Sequence, residues 1–449
     1  MRKRAKAVAT LAVAAVMGVG GCAGAGSFTS GSDTVTIAMV SNSQMQDAIA
    51  LSGEFERENP GTKLRFVSLS ENEARAKITA SVATHGGEFD VVMISNYETP
   101  QWAKNGWLVD LSNYQRESPD YDEEDFIPSL QKSLSHHGDM YSVPFYGESS
   151  FLMYRKDLFE QAGITMPDNP TWDQVGKYAA QLDDPTHGRS GICLRGKPGW
   201  GESLAPLNTV INTFGGRWFD ENWHAQLTSP EVVRAVDFYI GLVRAHGEPG
   251  SATSGFSECA TQLSQGNTAM WYDATSAVSV LEDPASSKVV GKIGYAPAPV
   301  AQKPNSGWLY TWSLGIPTSS DKPDAAWKFI SWMTGKPYIR TVGEKLGWSH
   351  VPPGSRMSTY RIPEYAEASE AYGPLTLSSM QGADPEHPTV QPVPYTGIQF
   401  LAIPEFQDLG TRVSQQISAA IAGRISVRDA LDQAQQYADA VGRSYRGNQ

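Results

Sequence analysis

Apolar and polar positions alternate along this chain with two different periods. Residues 34–40 (TVTIAMV) are an apolar, β-branched run that predicts a strand. Positions 44–59 follow a helical period, with Ala48, Leu51 and Phe55 on one face, up to the break at Asn59-Pro60-Gly61. A strand over 63–68, a helix over 72–84 and a strand over 89–94 (FDVVMI) come next. The last is a continuous apolar run of the kind buried on both faces of a parallel sheet. Strand and helix in alternation predict a doubly wound α/β lobe. Residues 141–146 and 151–154 are further apolar strands, and a helix over 155–162 ends at Gly163, a C-terminal cap. Between those strands lies Gly147-Glu148-Ser149-Ser150. Polar groups in an otherwise apolar crossing face a cleft or have internal partners. A second alternating set fills the middle of the chain, and from Pro323 the pattern is mainly helical with Pro and Gly breaks.

In doubly wound sheets, ligands bind beyond the carboxyl ends of the strands. Asn42 and Ser43 follow the first strand, Ser70 and Glu71 the second, and Asn96, Tyr97 and Glu98 the third. Ser70, before Asn72-Glu73, is better suited to capping a helix.

The chain has 449 residues, more than one hydrophobic core usually supports, so two lobes are expected. Arg2, Lys3, Arg4 and Lys6 precede an apolar run over 8–19, too short to span a bilayer. Val19-Gly20-Gly21-Cys22 then resembles a lipoprotein cleavage box, so residues 1–21 read as a signal peptide and Cys22 as the lipidated N-terminus. The Gly/Ser-rich stretch 23–33 reads as a tether. The domain is thus expected outside the cell membrane, held there only by lipid. Loss of the leader, with four basic and no acidic residues, takes the formal charge from −12 to −16. An acidic surface argues against nucleic acid and against a polybasic membrane patch. Apart from Cys22, Cys193 and Cys259 remain, and the sequence leaves open whether they form a disulfide or stay as two buried thiols.

Several motifs fail on their chemistry. Gly191-x4-Gly196-Lys197 matches a phosphate loop until Pro198, which supplies neither a hydroxyl for Mg²⁺ nor a backbone N–H. His136-His137-Gly138-Asp139 reads as a hairpin turn, because adjacent strand residues point to opposite faces. No metal-ligand pairing such as H-E-x-x-H or C-x-x-C occurs, nor a G-x-S-x-G elbow. No metal and no cofactor is expected. Glu71, Glu98, Glu148 and Asp273 are candidate hydroxyl acceptors. Among the 12 tryptophans, Trp200, Trp218, Trp271, Trp308 and Trp312 stand beside Gly or polar residues. Aromatic faces of that kind stack on the C–H faces of sugars and polyols, and Arg195 offers a rigid fork for two hydroxyls or for Asp273 or Glu148. Trp327 and Trp332, on a helical pattern with Phe329, belong to a core.

Five strings carry a resemblance: FERENPGTKLRFV (55–67), GGEFDVVMI (86–94), GDMYSVPFYGESSFLMYRKDLFEQAGITMP (138–167), PTWDQ (170–174) and DAAWKFISWMTG (324–335). With them the chain resembles the extracellular solute-binding protein family 1, the maltose-binding-like receptors of bacterial ABC importers. GICLRGKPGWGE (191–202), NTFGGRWFD (212–220), MWYDAT (270–275), VGKIGYAPAPV (290–300) and HPTVQPVPYTGIQFLAIPEFQ (387–407) are similar to segments of its sorbitol/mannitol-binding members. The resemblance implies an α/β two-lobe fold, each lobe a doubly wound, mostly parallel sheet. Lobe one would hold 34–145 and about 300–345, and lobe two 146–299 and about 346–449. Closure about the crossings near Tyr146 and near 297–300 would trap the ligand. Carried over to this chain, the ligand contacts are Asn42, Glu71 and Asn96 from lobe one and Tyr146 and Glu148 at the crossing. Lobe two adds Arg195, Trp200, Asp273 and Tyr395, and Trp308 and Trp312 lie by the second crossing. The implied function is capture of a sugar alcohol for a membrane permease, by a monomer without catalytic residues. A monosaccharide, disaccharide or glycerophosphodiester is the alternative ligand. A secreted glycan-active enzyme is a remote alternative, since it needs an acid of raised pKa beside a second carboxylate.

Overall fold

The computed structural model describes residues 34–447. The leader, Cys22 and the tether lie outside them. The chain opens with β1 (Thr34–Val40), α1 (Ser43–Glu58), β2 (Lys63–Leu69), α2 (Glu71–Ala83) and β3 (Val91–Ser95). β1 pairs in parallel with both β2 and β3, as the alternating pattern predicts. After a group of short helices come β4 (Ser142–Glu148) and β5 (Ser150–Arg155), then α3 (Phe256–Ser264), β6 (Met270–Ala274), β7 (Ile293–Pro297) and β8 (Tyr310–Gly315). The chain ends in α4 (Phe406–Ile421) and α5 (Val427–Arg446).

Two sheets result. One has the order β2-β1-β3-β8-β4, and the other β6-β5-β7. β8 runs antiparallel to both β3 and β4, so a return strand is wedged into a parallel framework. The three strands of the second sheet pair antiparallel, not in the mostly parallel way expected there. An apolar run reads alike in either direction, so periodicity carries no information on strand polarity. Short parallel bridges from Ser190 to Thr268 and from Cys193 to Trp271 extend this sheet beyond β6.

The chain passes from the first sheet to the second through one residue, Ser149, which is fully buried and exchanges hydrogen bonds with Thr275. It returns over residues 298–309, between β7 and β8. Beyond Leu346 the chain again touches the first lobe. The buried Arg356 donates to the carbonyls of Tyr121 (3.0 Å) and Thr334 (2.9 Å) and lies over the Phe126 ring. α4 and α5 pack against the helix Pro230–His246 of the second lobe. Trp327 packs on Tyr114 and Tyr121, and Trp332 on Phe55, as core residues. The His136-His137 motif is a hairpin, with His137 and Gly138 at positive φ in its turn. Cys193 and Cys259 form a disulfide with Cα atoms 5.6 Å apart, which settles the question the sequence left open.

Candidate ligand-binding site

A cavity of about 480 Å³ lies between the two sheets. Its first-lobe wall is built from the ends of β1 and β2, the first turns of α2, and the ends of β4 and β8. Asn42 follows β1 and caps α1, its Oδ1 accepting from Met45 N at 2.9 Å. Its Nδ2 donates to the Tyr146 hydroxyl, also at 2.9 Å. A residue that ends a strand and starts a helix therefore presents its amide at the cavity.

Glu71 opens α2 and Arg75 lies one turn later on the same face. The Arg75 guanidinium bonds Glu71 and Glu98 at 2.9 Å each and donates to the Tyr310 hydroxyl. It is also held between two rings, 4.2 Å from the Trp200 centroid and 4.8 Å from that of Trp312. Trp312 belongs to β8, whereas Trp200 comes from the second lobe and meets Tyr97 of the first at 4.6 Å between ring centroids. Arg75 is thus a cation shared by rings of both lobes.

The opposite wall comes from residues 195–202 and the start of α3. Arg195 donates through Nε to Asp273 Oδ2 (2.7 Å) and through Nη1 to the Gly201 carbonyl (2.9 Å), with its plane over Phe256. Asp273 is wholly buried and also accepts from Trp271 Nε1 (3.0 Å) and Ala274 N (2.7 Å). Glu202 faces Lys197 at 3.4 Å and Arg195 at 3.6 Å. Burial, with the nearby Glu71 charge, raises the Glu202 pKa. Glu148, at the crossing, is 6 % exposed and accepts from Ser276 Oγ at 2.6 Å. Burial pushes its carboxyl up to about 8, against the pull of Ser276 and Arg195. Trp308 Nε1 and Gln399 Oε1, in residues lining the cavity, are buried without a hydrogen-bond partner among the described residues.

Of the eleven ligand contacts that the resemblance implies, the structure brings Asn42, Glu71, Tyr146, Glu148, Arg195, Trp200, Trp308 and Trp312 to the cavity wall. Three lie elsewhere. Asn96 fastens β3 to the approach to β8, accepting from Thr311 N (3.1 Å) and donating to Leu309 O (3.4 Å). Asp273 sits behind Arg195 and fixes its orientation. The Tyr395 hydroxyl accepts from Trp218 N at 3.1 Å, and its ring packs on Phe219 inside the second lobe. Arg75, Lys197, Glu202, Ser276, Tyr310 and Gln399 also line the cavity and were missed. The spacing of Arg75 four residues after Glu71 was a usable signal, whereas nothing local marks Gln399.

The two lobes touch around the cavity. Asn72 Nδ2 donates to Pro198 O at 2.9 Å, and Gln44 Nε2 to Ser279 Oγ at 3.0 Å. At Gly199 and Gly201 the second lobe passes so close to α2 that an added Cβ would lie 2.5 Å from Asn72 Oδ1 and 2.4 Å from Glu71 Oε1, respectively.

The bacterial extracellular solute-binding protein family matches residues 39–339. The mannitol-binding protein of Pseudomonas aeruginosa is 44 % identical over 408 residues, covering 90 % of this chain and 92 % of the relative. The erythritol/L-threitol-binding protein of Mycolicibacterium smegmatis is 27 % identical, over 74 % of this chain and 75 % of that one. The crystal structure of an ABC-transporter solute-binding protein from Agrobacterium vitis with bound D-mannitol superposes with a TM-score of 0.90, at 45 % identity, over 92 % of this chain and 99 % of that one. With a cleft between two α/β lobes and similarity over nearly its whole length, the chain belongs to the bacterial extracellular solute-binding proteins, receptors of ABC transporters and not enzymes.

Proposed function

We propose that this chain captures a linear polyol of the mannitol or sorbitol kind in the interlobe cleft and delivers it to the permease of an ABC importer. The observation that carries this reading is a cavity lined by Asn42, Tyr146, Glu148, Trp308 and Trp312 whose two arginines are already bound by protein carboxylates. Donors and acceptors beside aromatic rings suit hydroxyls, which supply both functions. Paired arginines do not attract an anion. The similarity at 44–45 % identity to proteins described as mannitol-binding or mannitol-bound supports the same ligand class.

Asn42, Tyr146 and Glu148 contact the polyol from one side and Arg195 from the other, with Trp200, Trp308 and Trp312 covering its C–H faces. Asp273 acts through Arg195. The lobes close by hinge motion at Ser149 and over 298–309. The receptor works as a monomer, tethered through lipid on Cys22 at the outer face of the cell membrane. No helix among the described residues is long and apolar enough to cross a membrane.

A thermal-shift screen of the mature domain against polyols, monosaccharides and disaccharides tests the reading. Ligand at a hundred times its Kd adds about 2.7 kcal/mol of stability. A shift with a disaccharide and none with any polyol would refute the proposed ligand class.

A further inference from the structure

Charge in the cleft is unevenly neutralised. Glu71 and Glu98 bind Arg75, and Asp273 binds Arg195. Glu148 has only the Ser276 hydroxyl, on Oε2, and among the described residues no cation lies within ion-pair distance of it. Its position is built, not incidental. It ends β4 at the crossing, lines the cavity and is 6 % exposed. A buried carboxyl group in the cavity wall is therefore left without a cation among the described residues.

We infer that the cleft accepts, besides neutral polyols, protonated amino polyols: linear chains in which an ammonium group replaces one hydroxyl and donates to Glu148. This rests on the polyol reading and extends it. An ammonium brings three donors and no acceptor, where a hydroxyl brings one donor. A hydrogen bond from a charged donor to a carboxylate is about twice as strong as a neutral one. A polyol carrying a carboxylate would instead set like charge against Glu148 once that carboxyl ionises.

The groups acting on Glu148 are Ser276, Arg195, Asp273 and Glu71, with the Tyr146 phenol beside it. The Arg195 charge is already met by Asp273. Burial holds the Glu148 carboxyl protonated up to about pH 8. The incoming ammonium displaces that proton, so one proton leaves for each amine bound below pH 8. Affinity for the amine therefore rises between pH 6 and 8, by up to about tenfold per unit. A primary alkylammonium stays charged over that range.

Calorimetry on the mature protein at pH 6, 7 and 8, in two buffers of different ionisation heat, compares D-mannitol, 1-amino-1-deoxy-D-mannitol and the corresponding hexonate. The inference expects the amine to bind within tenfold of mannitol at pH 8, with one proton released at pH 6 and a rising affinity between. It expects the hexonate-to-mannitol affinity ratio to be lowest at pH 8, where Glu148 begins to ionise. Glu148→Gln should lower the amine-to-mannitol affinity ratio by tenfold or more. An amine more than tenfold weaker than mannitol at pH 8, no proton release, or an unchanged ratio in Glu148→Gln overturns it. The wild-type comparisons decide the matter even if that variant does not fold. Mannitol binding without amine binding overturns this inference alone, whereas binding of neither overturns the polyol reading as well.

Discussion

Gly201→Ala is the cleanest probe of lobe closure. The new methyl would lie 2.4 Å from Glu71 Oε1, 3.1 Å from Arg75 Nε and 3.2 Å from Arg75 Nη2, all atoms of the opposite lobe. Gly201 does not have a positive φ, so alanine is compatible with its backbone. Gly199 is a poorer choice, because its φ of +147° disfavours any side chain whatever the space. Glu71 is the end of a flexible side chain, but it is tied to Arg75 by two hydrogen bonds. Arg75 is in turn fixed by Glu98, Tyr310 and two tryptophan rings. Swinging Glu71 away breaks its two hydrogen bonds to the buried Arg75 guanidinium, about 1.5–3 kcal/mol each. Forcing one extra methyl into a packed contact costs about 1–3 kcal/mol. Widening the cleft slightly is therefore the cheaper response, and its cost falls on the closed form. That energy corresponds to a Kd raised by roughly 5- to 150-fold. Calorimetry with the cognate polyol measures the loss, and the melting temperature of the ligand-free protein serves as control. The collision lies between lobes, so the ligand-free Tm should hardly move. An affinity within twofold of wild type, or a ligand-free Tm that falls as far as the binding energy does, would refute the argument.

Asp273→Asn removes the carboxylate that Arg195 grips with two hydrogen bonds and leaves only Glu202, at 3.6 Å, as its counter-charge. Loss of about 3–5 kcal/mol of stability is expected, seen as a lower denaturation midpoint together with weaker polyol binding. Replacing Cys193 and Cys259 by Ser together opens a loop with a sequence separation of 66, for which chain entropy predicts a loss of about 4 kcal/mol in chemical denaturation. The His350 pKa is raised by its hydrogen bond to Asp47, against partial burial. Its stabilising contribution is therefore complete below the unfolded value of about 6.5 and lost as pH rises through the higher folded value. The stability difference between wild type and His350→Gln should shrink from pH 6 to pH 8, and a difference that grows would contradict this sign.

What the sequence could and could not reveal follows from which interactions are local. Strand ends in a doubly wound sheet point at the ligand side, so Asn42 and Glu71 were legible from β1 and β2 alone. Asn96 occupies the equivalent place after β3, yet it is spent on β8, a strand that arrives more than 200 residues later in the chain. No local pattern announces that wedge, just as none announces that β6 and β7 run against β5.

The carboxylates make the same point more sharply. Glu148 and Asp273 each sit at or near the end of a fully buried strand, β4 and β6, and either is a plausible ligand contact when read as sequence. What separates them is the reach of one arginine. Arg195 extends from a segment paired beside β6 and places its fork on Asp273, at 2.7 Å through Nε. That carboxylate becomes a support, because two arginine donors, Trp271 Nε1 and a backbone N–H occupy its lone pairs. Glu148 has no such partner and keeps its capacity for whatever enters the cleft. A buried carboxylate is thus a contact or a strut according to whether a cation from elsewhere in the chain reaches it first. Gly201 belongs to the same logic: its lack of a side chain acquires meaning only when Glu71, 130 residues earlier, comes within van der Waals range across the cleft.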